Sequence, residues 1–277
     1  VKVRPLYPNL PKVFRCAACG AVFLHPQPGL AMLREHYGEK YFTSRVSVEV
    51  GYDHYVQDEA NIKKSFERRF RVIERYCGGS GKLLDVGCAA GFFLAVARDH
   101  GWDARGVEIS DFAASYAKRS GFDVFKGALE EYPGTPGTFD LVTLWDVIEH
   151  LRDPKAALQK IRSLLKPGGH VVLTTPAIDS WTHRIFRDKW MGFKDVEHLF
   201  FFSRKTMTEL LRQCGFRVSS VKFEGKYVSL DLFKRRIDYY WKGSSKVLDL
   251  LLSRGKTSGC DFYVNPFDIQ RVIAQKL

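Results

Sequence analysis

The stretch LLDVGCAAGFFLAVA, Leu83–Ala97, decides the fold. An apolar run ending in Asp85 and Gly87 reads as a strand, and the pattern from Phe92 to His100, closed by Gly101, reads as a helix. A tight glycine turn between the two sets a ligand at the carboxyl end of a sheet, in the crevice that open α/β folds use. Dinucleotide binding asks for G-x-G-x-x-G with the pyrophosphate on the helix N-terminus. Here the small residues fall at Gly87, Ala89 and Gly91, and Phe92 takes the place of the last glycine. Asp85 is a second objection, because a carboxylate repels a pyrophosphate and attracts an ammonium. Glu108 ends the next apolar run, GVEIS, where an acid accepts bonds from both hydroxyls of a ribose. The ligand these two acids fit joins a ribose to an amino acid.

Outward from this turn the chain alternates. Strands are expected at KLLDVG, DARGVEI, DVFKG, FDLVTLW and HVVLTTP, and helices between them at Phe92–His100, at Asp111–Arg119 with Ser110 as cap, and at DPKAALQKIRSLL with Asp153 as cap and Pro154 in first position. Such alternation implies a parallel sheet. Upstream, Ile62, Phe66, Phe70, Ile73 and Cys77 recur at the spacing of one helix face, and Gly78 and Gly79 end that helix. Residues 1–28 read as proline-rich and irregular. After Ala177 the rhythm breaks for some 26 residues, then resumes with the helix RKTMTELLRQC, the strand FRVSSVKF, a basic aromatic helical stretch over 230–254 and a last strand, DIQRVIAQK.

S-adenosylmethionine meets both demands of the turn and carries no phosphate. The ordered motifs DVGCAAG, GVEIS, KGALEEYP, LWDVIEHL and LLKPGGHVVLTTP resemble those of class I methyltransferases across residues 82–223. That resemblance implies a Rossmann-like α/β fold with a seven-stranded, mostly parallel sheet. It implies that Asp85 faces the methionine part, that the backbone of Gly87, Cys88, Ala89 and Gly91 lines the cofactor, and that Glu108 grips the ribose. It further implies that Ile109 packs on adenine, that Gly127, Ala128 and Leu129 meet the adenine edge, and that Trp145 and Asp146 pass beneath the sulfonium. Ala89 departs from the family's glycine; its methyl group fits if the residue keeps a negative φ, which is the expectation.

The segment DVIEHL and the sequence CAACGAVFLHPQP are similar to bacterial methyltransferases with an N-terminal zinc ribbon and to ubiquinone-pathway O-methyltransferases. Only one cysteine pair, Cys16 and Cys19, is present there. Closed tetrahedral zinc needs four ligands, so no metal ligands are assigned. The expected organisation is an extension over residues 1–55 with a partial ribbon, and a methyltransferase domain over 56–277 with a helical insertion at about 228–256.

The resemblance implies methyl transfer, with oxygen the expected target, and a base to take the acceptor's proton. His150, after the fourth strand, and His198, in the irregular segment, are the candidates; each has an alternative in helix-start bonding or packing. Tyr41, Tyr52 and Tyr55 could close the other side of the cleft or simply pack.

The net charge of +12 is peripheral. Residues 1–82 hold 14 basic and 8 acidic groups and residues 181–256 hold 17 and 8, whereas the segment with the motifs is slightly acidic. An anionic small, sugar-linked or lipid-linked acceptor would suit those flanks, as would a solvated basic surface. A nucleic-acid methyltransferase is the first alternative, although WDVI stands where an NPPY-type tetrapeptide would be. A non-catalytic cofactor-binding subunit is the second. No apolar run approaches a membrane span, and six scattered cysteines suit a reducing compartment, so the expected location is the cytoplasm. No oligomeric state follows from the sequence.

Overall fold

The computed structural model describes residues 2–29, 32, 36, 38, 41–42, 58–194, 197–244 and 261–277. Tyr52, Tyr55 and the later part of the expected insertion lie outside them. Helix α1, Glu59–Cys77, buries Phe66, Phe70 and Ile73, with Ile62 and Cys77 half-covered, and ends where Gly78 takes φ +80. The alternating part follows as β4 (Lys82–Val86), α2 (Phe92–Asp99), β5 (Asp103–Glu108), α3 (Asp111–Arg119), β6 (Asp123–Lys126), β7 (Phe139–Trp145), α4 (Pro154–Leu164) and β8 (Leu165–Pro176). Ser110 and Asp153 cap α3 and α4 as expected, accepting from the N–H groups of Ala113 and Ala156.

The chain continues through α5 (Trp181–Phe186), β9 (Phe200–Phe201), α6 (Arg204–Gln213), β10 (Phe216–Ser229), α7 (Leu230–Tyr240) and β11 (Asp261–Lys276). Seven strands form one sheet in the order β10-β11-β8-β7-β4-β5-β6. The five from β8 to β6 are parallel; β11 runs antiparallel to β8 on one side, and β10, antiparallel to β11, runs with the five again. One core joins α1, α2 and α3 to the sheet through Phe70, Phe93 and Leu141; the other joins α4 and α6 through Leu158, Met207 and Leu144. The result is the expected α/β fold with helices on both faces.

The N-terminus departs from expectation. Residues 1–28 hold three strands, β1 (Val3–Tyr7), β2 (Leu10–Cys16) and β3 (Val22–Leu24), in a second sheet of order β1-β2-β3-β9. Pro5 is tolerated because β1 is an edge strand. Among the described residues the sheet is buried chiefly by downstream ones: Val13, Val22 and Leu24 pack with Ile178, Trp190, Leu199 and Phe201. Cys16 and Cys19 lie at the turn after β2, Cys16 buried and Cys19 exposed. The segment read as arrhythmic thus contains α5 and β9, and β8, β10 and β11 are all longer than their sequence patterns.

Candidate active site

In the large sheet the chain order reverses between β4 and β7, so the loops leaving these strands diverge and open a crevice. A cavity of about 670 Å³ occupies it, within the size range of ligand sites. Asp85, Gly87, Cys88 and Ala89 line it from β4, Glu108 and Ile109 from β5, Gly127, Ala128 and Leu129 from the end of β6, and Trp145 and Asp146 from β7. Gly91 does not line it. It sits at the N-cap of α2 with φ +83, and an added Cβ would meet Phe122 at 2.9 Å, so its role is to turn the chain and let the helix pack.

Ala89 has φ +46, against the expectation of a negative angle. The turn requires a left-handed residue there, at a cost of roughly 1–2 kcal/mol for an L residue. Compensation comes from its N–H, which donates to Glu108 Oε2 at 2.9 Å. The Ser110 N–H donates to Glu108 Oε1 at 2.8 Å. Glu108 therefore ties the β4 turn to the β5 end, and its carboxylate still has accepting capacity for a ligand. Burial pushes its carboxyl above the usual range, opposed by these backbone bonds.

Asp85 is buried, and burial pushes its pKa up to about 8. Thr143 Oγ1 donates to it at 2.6 Å and opposes the rise, to which the Glu108 charge adds. A carboxyl held in its neutral form beside a cavity is restored to its charged form by a cationic ligand. Ile109 stays 37% exposed at the cavity wall, an apolar surface for a flat ring. Asp146 has φ +55; its N–H and Oδ1 both bond to Thr174 Oγ1, at 3.0 and 2.8 Å, which fixes the residue where β7 leaves the sheet.

His150 and His198 come together, ring centroids 4.8 Å apart and edge to face. His150 Nδ1 bonds the Glu197 carbonyl at 2.8 Å and His198 Nδ1 bonds the Gly192 carbonyl at 2.8 Å. Carbonyls only accept, so both rings carry a proton on Nδ1 and present Nε2 as the basic nitrogen. Burial lowers His150 to about 4 and His198 well below its ordinary value, the His150 charge adding to the second shift. Both are neutral at neutral pH. Beside them Glu149 is buried, and neither carboxylate oxygen has a hydrogen-bond partner among the described residues. Burial, and the nearby Asp146 charge, push its pKa well above the usual value. Ligand atoms of Glu149, His150 and His198 lie within 4.8 Å of one another, a donor set that suits a divalent first-row cation. The sequence reading assigned no metal ligands, because two of these side chains meet the third only after the segment before β9 folds over the crevice.

Arg69 and Lys226 are among the cavity residues that the sequence reading did not single out. Arg69 is buried in α1, its guanidinium 5.5 Å from the Phe66 ring and 5.2 Å from the Trp145 ring, and its Nε lacks a partner among the described residues. An arginine inside the apolar stripe of a helix was the available signal. Lys226 lines the far wall from β10; burial lowers it to about 7, with Arg236 adding to the shift. Tyr41 is buried at the rim, its hydroxyl donating to Glu197 at 3.5 Å, while Lys194 pairs with Glu197 at 3.0 Å.

These residues fit S-adenosylmethionine: a buried acid for its ammonium, an arginine donor in want of a carboxylate, a second acid for the ribose and an apolar ledge for adenine. Comparison with known proteins agrees. A methyltransferase-domain family matches residues 52–221. The mitochondrial ubiquinone biosynthesis O-methyltransferase of Schizosaccharomyces pombe is 34% identical over 110 residues, covering 37% of this chain and 40% of that protein. The ubiquinone biosynthesis O-methyltransferase of Marinobacter nauticus is 31% identical over 113 residues, 38% of this chain and 48% of that protein. The matched part thus spans less than half of these relatives' lengths. Among solved structures, a SAM-dependent methyltransferase from Archaeoglobus fulgidus aligns with TM-score 0.55 and 21% identity over 80% of this chain and 99% of its own. A SAM-dependent methyltransferase from Thermotoga maritima, a possible histamine N-methyltransferase, aligns with TM-score 0.53 and 19% identity over 79% and 91%. At these identities the two structures speak for the fold alone.

Proposed function

Because the chain belongs to the methyltransferase-domain family, whose class I members use S-adenosylmethionine as methyl donor, we propose that it transfers a methyl group from that cofactor to an oxygen of a small, sugar-linked or lipid-linked anionic acceptor. The observation that carries the reading is the pair of buried carboxyls, Asp85 and Glu108, on neighbouring strand ends of one cavity. Two acids at these strand ends suit an ammonium and a ribose hydroxyl pair better than a phosphate. Oxygen as the target draws on the ubiquinone-pathway relatives, and the anionic acceptor on the basic flanks.

In this reading the cofactor supplies an electrophilic methyl group. Glu108 holds the ribose, Ile109 and the backbone of Gly127 to Leu129 hold the adenine, and Asp85 with Arg69 holds the two charged ends of the amino acid. His150 takes the acceptor's proton on Nε2, and His198 packs against it. A conjugate acid near pH 4 makes a weak base, which matches an acidic hydroxyl better than an alcohol. The unpartnered Glu149 carboxyl favours a second reading of this corner, in which Glu149, His150 and His198 hold a divalent cation that lends positive charge to the acceptor oxygen. Loss of turnover in chelator, restored by added magnesium or zinc, would select the second; turnover indifferent to chelator would select the first. The proposed organisation is an extension over 1–55, whose described strands pack on Trp190 of the cavity wall, and a transferase domain over 56–277 with an insertion at about 228–256.

Calorimetric titration with S-adenosylhomocysteine, with NADH as control, tests the site. Micromolar binding of the first alone is expected. Binding of NADH, or of neither ligand, overturns the assignment.

A further inference from the structure

We propose that the aromatic, basic face built by α5, α7 and the bend before Asp268 docks on an anionic lipid surface. Four large apolar side chains stand out there: Trp181 at 49% exposure, Ile185 at 59%, Trp241 at 59% and Phe267 at 51%. Trp181 and Ile185 share one face of α5. Phe186 stacks on Tyr240 with centroids 3.6 Å apart and meets the Trp241 ring edge-on at 5.5 Å, so the exposed ends of α5 and α7 form one surface. The Trp181 ring is held by its Nε1–H, which donates to the Pro266 carbonyl at 2.6 Å, and this brings in the neighbouring Phe267. Phe267 itself is kept at φ +56, unfavourable for a bulky residue, with its ring half in solvent.

Charge selects the occupant. Residues 181–189 and 230–242 carry seven Lys and Arg against three Asp. A second copy of this chain would oppose the same cations and be repelled, whereas lipid phosphates complement them. Stacked bases would use the tryptophans but have no use for Ile185, while an interface between headgroups and acyl chains takes tryptophan and isoleucine together. Among the described residues no helix is long and apolar enough to cross a membrane, so the contact is peripheral.

The face adjoins the cavity. The Met191 N–H donates to Tyr240 Oη at 3.1 Å, and Trp190, Met191, Leu232 and Arg236 line the cavity wall just inside it. A protein docked this way has its acceptor entrance at the lipid surface, which suits a lipid-linked acceptor. That consequence rests on the methyl-transfer reading. The docking does not, and is measured without cofactor or acceptor.

The test is flotation of the whole chain with vesicles of phosphatidylcholine alone and with phosphatidylglycerol added. Binding to the anionic vesicles should exceed binding to neutral ones by at least about tenfold and weaken in high salt. The double variant Trp181→Ser/Trp241→Ser should lose at least about tenfold of that binding while keeping the parent's cooperative thermal unfolding, which shows that it is folded. Equal binding to both vesicles, or a variant that floats like the parent, overturns the proposal. So does a lipid-free dimer, seen by sedimentation equilibrium, that the double variant converts to monomer, because the face would then belong to a second copy.

Discussion

Binding of the cofactor product should release a proton, and Asp85 sets how much. Burial holds its pKa at about 8, so at pH 7 the free protein carries about 0.9 of a proton there. An ammonium about 4 Å away at an effective dielectric near 20 is worth about 4 kcal/mol, or roughly three pK units. The bound carboxyl would then titrate near pH 5 and be charged at pH 7, releasing close to one proton per ligand. Two readouts must agree. In calorimetry at pH 7, the observed enthalpy plotted against buffer ionisation enthalpy should have a slope corresponding to about 0.9 proton released. The dissociation constant should also tighten nearly tenfold from pH 6 to pH 7. Asp85→Asn should bind more weakly and release almost none. Micromolar binding by the parent with no proton release and a flat pH dependence would refute the pairing of Asp85 with the ammonium.

Glu108→Ala should weaken S-adenosylhomocysteine binding by about a hundredfold, the worth of two hydrogen bonds to a charged acceptor, and also lower stability because the Ala89 and Ser110 N–H groups lose their partner. Titration beside thermal unfolding separates the two effects, and unchanged affinity in a folded variant would remove Glu108 from the site. His150→Ala should cut kcat by about 10²–10⁴-fold with cofactor affinity intact, read from single-turnover rates once an acceptor is in hand. Stability should fall as pH drops from about 6.5 to about 4, because His150 stays neutral when folded and takes a proton when unfolded. That contribution is complete above pH 6.5 and amounts to about 3 kcal/mol at most; urea titrations at several pH values should show a shallower loss in His150→Gln. Phe70→Ala should cost about 3–5 kcal/mol in the same assay, since the ring is fully buried between α1 and α2 against Phe93.

The order of elements from α1 to β8, the crevice and the two acids at its edge were legible in the sequence. Helix periodicity, caps and glycine turns are local signals, so the Phe66–Phe70–Ile73 stripe and the spacing from Asp85 to Glu108 carry their meaning without a tertiary context. The rest depended on contacts between distant parts of the chain. Among the described residues, the N-terminal strands bury their apolar face against Ile178, Trp190, Leu199 and Phe201, all far downstream. The angle at Ala89 is sustained by the bond its N–H donates to Glu108. Glu149, His150 and His198 converge because the segment before β9 crosses the crevice, and Arg69 becomes a cavity residue because α1 packs beside Trp145. Local sequence sets which element forms; the packing of elements decides which side chains meet, and an active site is made of such meetings.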